Sequence, residues 1–82
     1  MITVLFFARL REQLQCSSLE LEYSASFDVA SVRANLLVAY PHWAKFLLDE
    51  KLLVAVNQTL VKASHPISDG DEVAFFPPVT GG

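Results

Sequence analysis

The chain ends in Asp69-Gly-Asp-Glu-Val-Ala-Phe-Phe-Pro-Pro-Val-Thr-Gly-Gly82, a stretch that combines a turn, a strand and an extended tail. Asp69-Gly70 predicts a tight turn, because glycine accepts a positive φ without strain. The apolar and aromatic run that ends at Phe76 is typical of a buried strand. Pro77-Pro78 cannot continue a sheet ladder, so the strand must stop there. The stretch therefore predicts a folded domain, residues 1–76, followed by a tail, residues 77–82.

The tail ends in two residues without side chains, Gly81 and Gly82. Fully extended, it reaches about 20 Å from the domain. A terminal carboxylate on so slender a stem can enter a narrow pocket that any Cβ would block. The reactive group is then the main-chain carboxylate of Gly82, which ATP can activate as an acyl-adenylate and a sulfur donor can convert to a thiocarboxylate. The alternative is an inert terminus, because chain ends are often uninformative.

Apolar and alternating segments predict four further strands, and helical spacing predicts one long helix between two short ones. Asp28 should cap the long helix and Pro41 should end it. We expect strands at residues 2–8, 19–23, 52–56 and 59–61, and helices at residues 8–14, 28–40 and 42–50. The first and last strands are the most apolar, so they should be central neighbours, and the helices between them allow parallel pairing.

This order predicts an α+β domain. It suits a ubiquitin-like β-grasp fold, with a mixed sheet of about five strands, one main helix and short extra helices. The pattern alone also allows a ferredoxin-like split βαβ arrangement. Neighbouring side chains in a strand point to opposite faces, so Phe7 and Phe76 should lie opposite Phe6 and Phe75. That second face is either an exposed apolar surface or one that loops and sheet curvature bury.

The composition excludes several classes of protein. A chain of 82 residues with 52% hydrophobic residues forms one ordered domain, and a net charge of −3 gives no support to nucleic-acid binding. We expect no membrane span and no signal peptide, and the single Cys16 fits a reducing cytoplasm without a disulfide or a cysteine cluster. His42 and His65 lack further ligands at useful spacing, so no metal site is expected. No Ser/His/Asp or Cys/His constellation predicts a side-chain active site.

The terminal run closely resembles the C-terminus of the small, sulfur-carrier subunits of molybdopterin synthase. Two other segments look like the same family, namely Leu53-Val-Ala-Val-Asn-Gln-Thr-Leu-Val61 and the opening Ile2-Thr-Val-Leu-Phe-Phe-Ala8 with Arg11-Glu12. The resemblance covers the whole chain and is weakest from Cys16 to Lys51. It implies a β-grasp fold and a sheet surface that docks partner proteins.

The resemblance also implies the chemistry. A ubiquitin-E1-like enzyme would adenylate Gly82 with ATP, and sulfur would be installed as a 1-thioglycine thiocarboxylate. Loaded tails would deliver sulfur to cyclic pyranopterin monophosphate inside the large synthase subunit, in a heterotetramer, to build the molybdopterin dithiolene. The chain would bind no cofactor and act as a carried cosubstrate. The residues implied are Gly82 as carrier, Pro77, Pro78, Val79, Thr80 and Gly81 for threading, and Phe7, Arg11, Leu60 and Phe76 at the partner interface.

Two other functions remain open at this point. A related ubiquitin-like carrier would use the same chemistry at Gly82 for thiazole synthesis, tRNA thiolation or protein modification. The length of the terminal match, and not the Gly-Gly pair, favours molybdopterin synthesis over these. A non-reactive β-grasp interaction module would show no ATP-dependent change at Gly82.

Overall fold

A five-stranded mixed sheet organises residues 1–78, the part of the chain that this computed structural model describes. The strands lie in the order β2-β1-β5-β3-β4. β1 and β5 pair in parallel, as predicted for the first and last strands, and the other pairs are antiparallel. This is a ubiquitin-like β-grasp sheet, so the ferredoxin-like alternative is excluded. The strands are β1 Ile2–Phe6, β2 Ser18–Leu21, β3 Leu53–Val56, β4 Thr59–Val61 and β5 Glu72–Phe76.

The helices follow the predicted order, with one difference in extent. They are α1 Ala8–Leu14, α2 Val29–Ala39 and α3 Ala44–Leu47, with a 3-10 turn at Pro41–Trp43 before α3. The helix predicted at residues 42–50 is thus shorter and begins as a 3-10 turn. It ends early because Asp49 Oδ1 accepts a hydrogen bond from the Lys51 amide at 2.9 Å, which stabilises a turn.

The core lies between one face of the sheet and α2. Val29, Val32 and Leu36 of α2 are fully buried. Trp43 is also buried, and its ring meets the ring of Phe6 edge-on, with 5.4 Å between centroids. Trp43 is therefore a core residue, as predicted. The other core side chains that β1 and β5 contribute are Ile2, Val4, Val73 and Phe75.

Hydrogen bonds close the end of the sheet at which β5 begins. The Asn57 side chain donates to Asp71 Oδ1 at 2.9 Å and accepts from the Glu72 amide at 3.0 Å. Asn57 and Gln58 take φ values of 50° and 72°, which form the predicted hairpin turn between β3 and β4. Gly70 has a φ of 90°, as the predicted turn requires. This end is thus polar, and the tail leaves from the other.

Candidate functional site

Strand β5 ends in two aromatic residues that lie on opposite faces of the sheet. The ring of Phe75 is buried on the helix side and stacks on Phe6, with 6.1 Å between centroids. The guanidinium carbon of Arg33 lies 5.9 Å from the centroid of the Phe75 ring and covers it. Phe76 is half-buried and points to the other face, as strand alternation predicts.

We call that other face the open face, because the helical core residues all pack on the opposite side. Phe7 is 45% exposed and Leu60 is 61% exposed. The alternative that loops or curvature bury this face is therefore excluded at both positions. Ala55 and Ala74, near its centre, are each only 9% exposed. The open face is thus an apolar surface with large side chains near its margins.

The strand register joins these side chains into one patch. Leu60 lies opposite Ala55, which lies opposite Ala74. Phe76 lies opposite Leu53, and continuing the β1–β5 register by one residue places Phe7 beside Phe76. We call this surface the apolar patch. Its members are Leu5, Phe7, Leu53, Ala55, Leu60, Ala74 and Phe76.

The apolar patch lies next to the root of the tail, because β5 ends at Phe76. At the far end of the open face, Thr3 separates Glu20 from Glu72 in the strand register. The open face is therefore apolar at the end of the sheet from which the tail leaves and charged at the opposite end. A protein that receives the tail would meet the apolar part first.

Sequence reasoning named only part of this patch. Phe7, Leu60 and Phe76 were predicted, and the structure places all three on the open face. Leu5, Leu53, Ala55 and Ala74 were missed. The face of Leu53 and Ala55 depends on how β3 pairs with β5, which no local pattern gives. Counting by twos back from Phe7 and Phe76 would have found Leu5 and Ala74.

Arg11 is the other residue predicted at the partner interface, and it lies in α1. Leu10 and Leu14 of that helix are buried in the core, and the side chain of Arg11 is exposed. Its amide donates to the Phe7 carbonyl at 3.4 Å, which fixes α1 directly after Phe7. Arg11 therefore follows the patch residue Phe7 by one helical turn and is exposed to solvent.

The predicted tail is only partly within the described residues. Pro77 is half-buried and Pro78 is exposed, and both follow β5 without further ladder pairing. The calls on Val79, Thr80, Gly81 and Gly82 lie outside the residues that the structure describes. What the structure adds is the place and direction from which the tail departs.

The described residues offer no second site of a familiar kind. Residues 1–78 contain no group of three side chains that could hold a metal ion, no pocket, and no helix long and apolar enough to cross a membrane. Cys16 is half-buried, and its Sγ lies 3.4 Å from the Ser18 carbonyl oxygen. The surface that remains to be explained is the apolar patch at the root of the tail.

A β-grasp domain with an apolar patch where its last strand ends, in a chain whose sequence ends in Gly-Gly, is typical of a class of ubiquitin-like proteins. The ThiS family model matches residues 4–82. The chain is 53% identical to the molybdopterin synthase sulfur carrier subunit of Escherichia coli (strain K12), over 100% of both chains. It is 45% identical to the protein of the same name from Haemophilus influenzae, again over 100% of both. The chain therefore belongs to the ThiS family.

Solved structures agree with this fold. SAMP1 from Haloferax volcanii has a TM-score of 0.82 at 24% identity, over 99% of this chain and 98% of that one. A chain in the complex of subunits 1 and 2 of the molybdopterin-converting factor from Helicobacter pylori 26695 has a TM-score of 0.70 at 26% identity. The match covers 99% of this chain and 97% of that one. The first similarity supports the fold alone. The second is to a chain whose structure was solved in a complex of two different subunits.

Proposed function

We propose that this chain is the sulfur-carrier subunit of a molybdopterin synthase, with Gly82 as the carrier residue. The observation that carries the proposal is the 53% identity to a sulfur carrier subunit of that name, over the whole length of both chains. The apolar patch supports it, because a carrier must dock on one protein while its tail reaches a reactive centre.

The proposed reaction at Gly82 has two steps before transfer. The terminal carboxylate attacks the α-phosphate of ATP, which gives an acyl-adenylate and releases pyrophosphate. A sulfur nucleophile of the hydrosulfide class then displaces AMP and leaves a thiocarboxylate. A ubiquitin-E1-like activating enzyme would supply the ATP site. The terminal carboxylate needs activation of this kind because a carboxylate is a poor acyl donor. Direct acyl transfer from it would have to expel hydroxide or oxide, which are poor leaving groups.

Transfer would occur inside the large subunit. The thiocarboxylate sulfur attacks an electrophilic, oxygen-bearing carbon of cyclic pyranopterin monophosphate, and the carbon–oxygen bond at that carbon breaks as its oxygen leaves with a proton or as a phosphate oxygen. Water then cleaves the acyl–sulfur bond. The carbon keeps the sulfur, and Gly82 returns to a carboxylate. Two such deliveries would build the dithiolene. This chain contributes the sulfur and its position, and the large subunit supplies the acid and base groups.

The large subunit would dock on the apolar patch and receive the tail beside it. The complex of two subunits from Helicobacter pylori supports a partner of this kind for a related chain. Phe7, Leu60 and Phe76 would be buried at the interface, because large exposed apolar side chains commonly form the centre of interfaces. Arg11, on α1, would meet an acidic group at the rim. A heterotetramer of two small and two large subunits is the assembly we expect.

Intact-protein mass spectrometry tests the carrier chemistry. The chain is incubated with ATP, its activating enzyme and a sulfur source, and fragmentation then locates any change. We expect a gain equal to replacing one oxygen by sulfur, confined to Gly82. A chain that lacks Gly81 and Gly82 is the matched control and should gain nothing.

The acceptor is tested separately with the loaded chain. Sulfur should pass to cyclic pyranopterin monophosphate when the large subunit is present. Transfer only to a thiazole precursor, to tRNA or to protein lysines would replace molybdopterin synthesis as the function. No sulfur gain with a demonstrably active activating enzyme would show that the chain is a non-reactive interaction module.

A further inference from the structure

Ala8 has a backbone conformation that its side chain disfavours. Its φ is 56°, in the left-handed region, and it is the first residue of α1. Left-handed conformations are uncommon for residues other than glycine, since the Cβ approaches the next carbonyl oxygen. Strain of this kind persists only where the surrounding structure imposes it, and it is concentrated at functional sites.

The other positive φ values among non-glycine residues 1–78 have ordinary explanations. Gln15 ends α1, where a left-handed residue is the usual cap. Asn57 and Gln58 form the hairpin turn between β3 and β4, which requires two such residues. Ser26 lies in a turn before α2. Ala8 is different because it begins a helix, where the chain normally enters from an extended residue directly into helical geometry.

Ala8 lies at the junction between β1 and α1, so its backbone conformation sets the direction in which the chain leaves the sheet. The residue before it, Phe7, makes the last bond of the sheet, from its amide to the Phe75 carbonyl at 3.2 Å. The Phe7 carbonyl then accepts from the Arg11 amide at 3.4 Å, as the first bond of α1. Ala8 therefore makes the whole turn from β1 into α1, and Phe7 is held at the corner with its ring on the apolar patch.

We propose that Ala8 is a positioning residue that fixes the direction of the Phe7 ring for docking on the large subunit. The proposal rests on the proposed function, because it assumes that the apolar patch is the docking surface. An alanine confined to the left-handed region occupies a small φ/ψ well, whereas glycine occupies several wells about equally. The methyl group of Ala8 thus restricts the backbone to a small range of φ and ψ at the turn between β1 and α1, at a cost in strain.

Replacing Ala8 with Gly tests whether this restriction of the backbone matters for docking. Ala8→Gly should leave the melting temperature within about 3 °C, because relief of strain offsets the greater freedom of the unfolded chain. Affinity for the large subunit, measured by calorimetry, should fall about threefold if only a third of the molecules keep the docking geometry. Backbone order parameters at Phe7 should fall as well. Ala8→Asn, which tolerates the left-handed region, should keep the affinity within about twofold.

Two comparisons separate positioning from general loosening. Ser26→Gly makes the same change at another left-handed position, and Ser26 lies beyond β2 at the end of the sheet opposite to Phe7. It should leave the affinity unchanged. In a Phe7→Ala background, Ala8→Gly should have no further effect on affinity, because Ala8 acts through Phe7.

Each outcome decides the matter. Unchanged affinity of Ala8→Gly, or an equal loss with Ser26→Gly, overturns the role of Ala8. If Phe7→Ala weakens binding and Ala8→Gly does not, the docking surface stands and only the positioning role fails. If Phe7→Ala alone leaves binding unchanged, Phe7 is not part of the interface and the inference fails with that part of the proposed function.

Discussion

Asp28 is the residue that starts the main helix, and it does so through one oxygen atom. Its Oδ1 accepts hydrogen bonds at 2.8 Å from both the amide and the hydroxyl of Ser31. The bond from the Ser31 amide, followed by that from the Ser31 hydroxyl, lowers the pKa of the Asp28 carboxyl below its ordinary value. The charge also faces the positive end of the helix dipole. The cap that the sequence predicts is thus present, with its partner.

The lowered pKa of Asp28 predicts a pH dependence of stability. Because the folded pKa lies below the unfolded value of about 3.9, the contribution is fully present above that value and is lost as the pH falls through the folded pKa. Asp28→Asn keeps a capping oxygen without the titration. Urea unfolding should show the stability advantage of the wild type over Asp28→Asn shrinking as the pH falls below about 4. The exposed Glu22→Gln is the control, and a constant difference between wild type and Asp28→Asn would contradict the prediction.

Gly81 carries a prediction about the tail. An isoleucine side chain there should obstruct passage through a narrow channel, since only glycine permits close approach on all sides. Gly81→Ile should leave the folded domain unchanged and reduce sulfur transfer by about 100-fold, as expected when reacting groups are displaced by about 1 Å. Single-turnover product formation measures the effect. Val38→Ile, on the exposed side of α2, is the control, because it adds bulk away from the tail. Normal turnover by Gly81→Ile would disprove the threading argument.

At the scale of the element, α2 shows how far the sequence pattern reaches. The helical repeat at Val29, Val32, Leu36 and Tyr40 predicts the buried face, and the first three are fully buried. Tyr40 is not, because Pro41 ends the helix there. The Tyr40 ring instead stacks on Trp43, with 4.2 Å between centroids. The pattern predicted the helix and its face, but the last turn depends on a neighbour that no periodicity identifies.

The same limit applies to the candidate site. Strand parity predicts that Phe7 lies on the face opposite to Phe6, and Phe76 on the face opposite to Phe75, since alternation is a local property of each strand. Parity alone does not say which of the two faces the helix covers. It does not predict that Leu53 lies beside Phe76, because register between β3 and β5 depends on the packing of the whole sheet. Nor does it predict the left-handed turn at Ala8, which is an alanine and carries no turn signal. The end of β5 could be predicted because its signal, Pro77-Pro78, is local.

Helix α2 should be held mainly by its buried stripe. Leu36→Ala removes a fully buried side chain and should lower the free energy of unfolding by about 2–5 kcal/mol. Val38 is 84% exposed on the same helix, so Val38→Ala should change it by less than about 0.5 kcal/mol. Urea unfolding of both variants measures the difference. Equal losses would show that the helix packs on a different face.

On the scale of the whole molecule, the two ends of the sheet have different surfaces. Hydrogen bonds among Asn57, Asp71 and Glu72 close one end, and the Ser68 amide donates to Asp71 Oδ2 at 2.8 Å there. The other end carries the root of the tail beside the apolar patch. A protein that binds the tail can therefore bury the apolar patch at the same time, so that docking of the domain and insertion of the tail occur together. This arrangement predicts that affinity and tail delivery are lost together when the patch is made polar.

Phe76→Asp tests this coupling at the centre of the patch. A carboxylate placed there would be desolvated against the large subunit without a partner, so affinity should fall by about 2 kcal/mol or more, roughly 30-fold. Leu60→Asp, at the 61% exposed margin, should cost less and cannot disturb the core. Val38→Asp, on the helix side, should leave binding unchanged. Calorimetry with the large subunit, alongside circular dichroism to confirm folding, compares all three. Equal affinity of Phe76→Asp, Leu60→Asp and wild type would remove the open face from the interface, whereas equal losses in all three variants would implicate net charge instead of the patch.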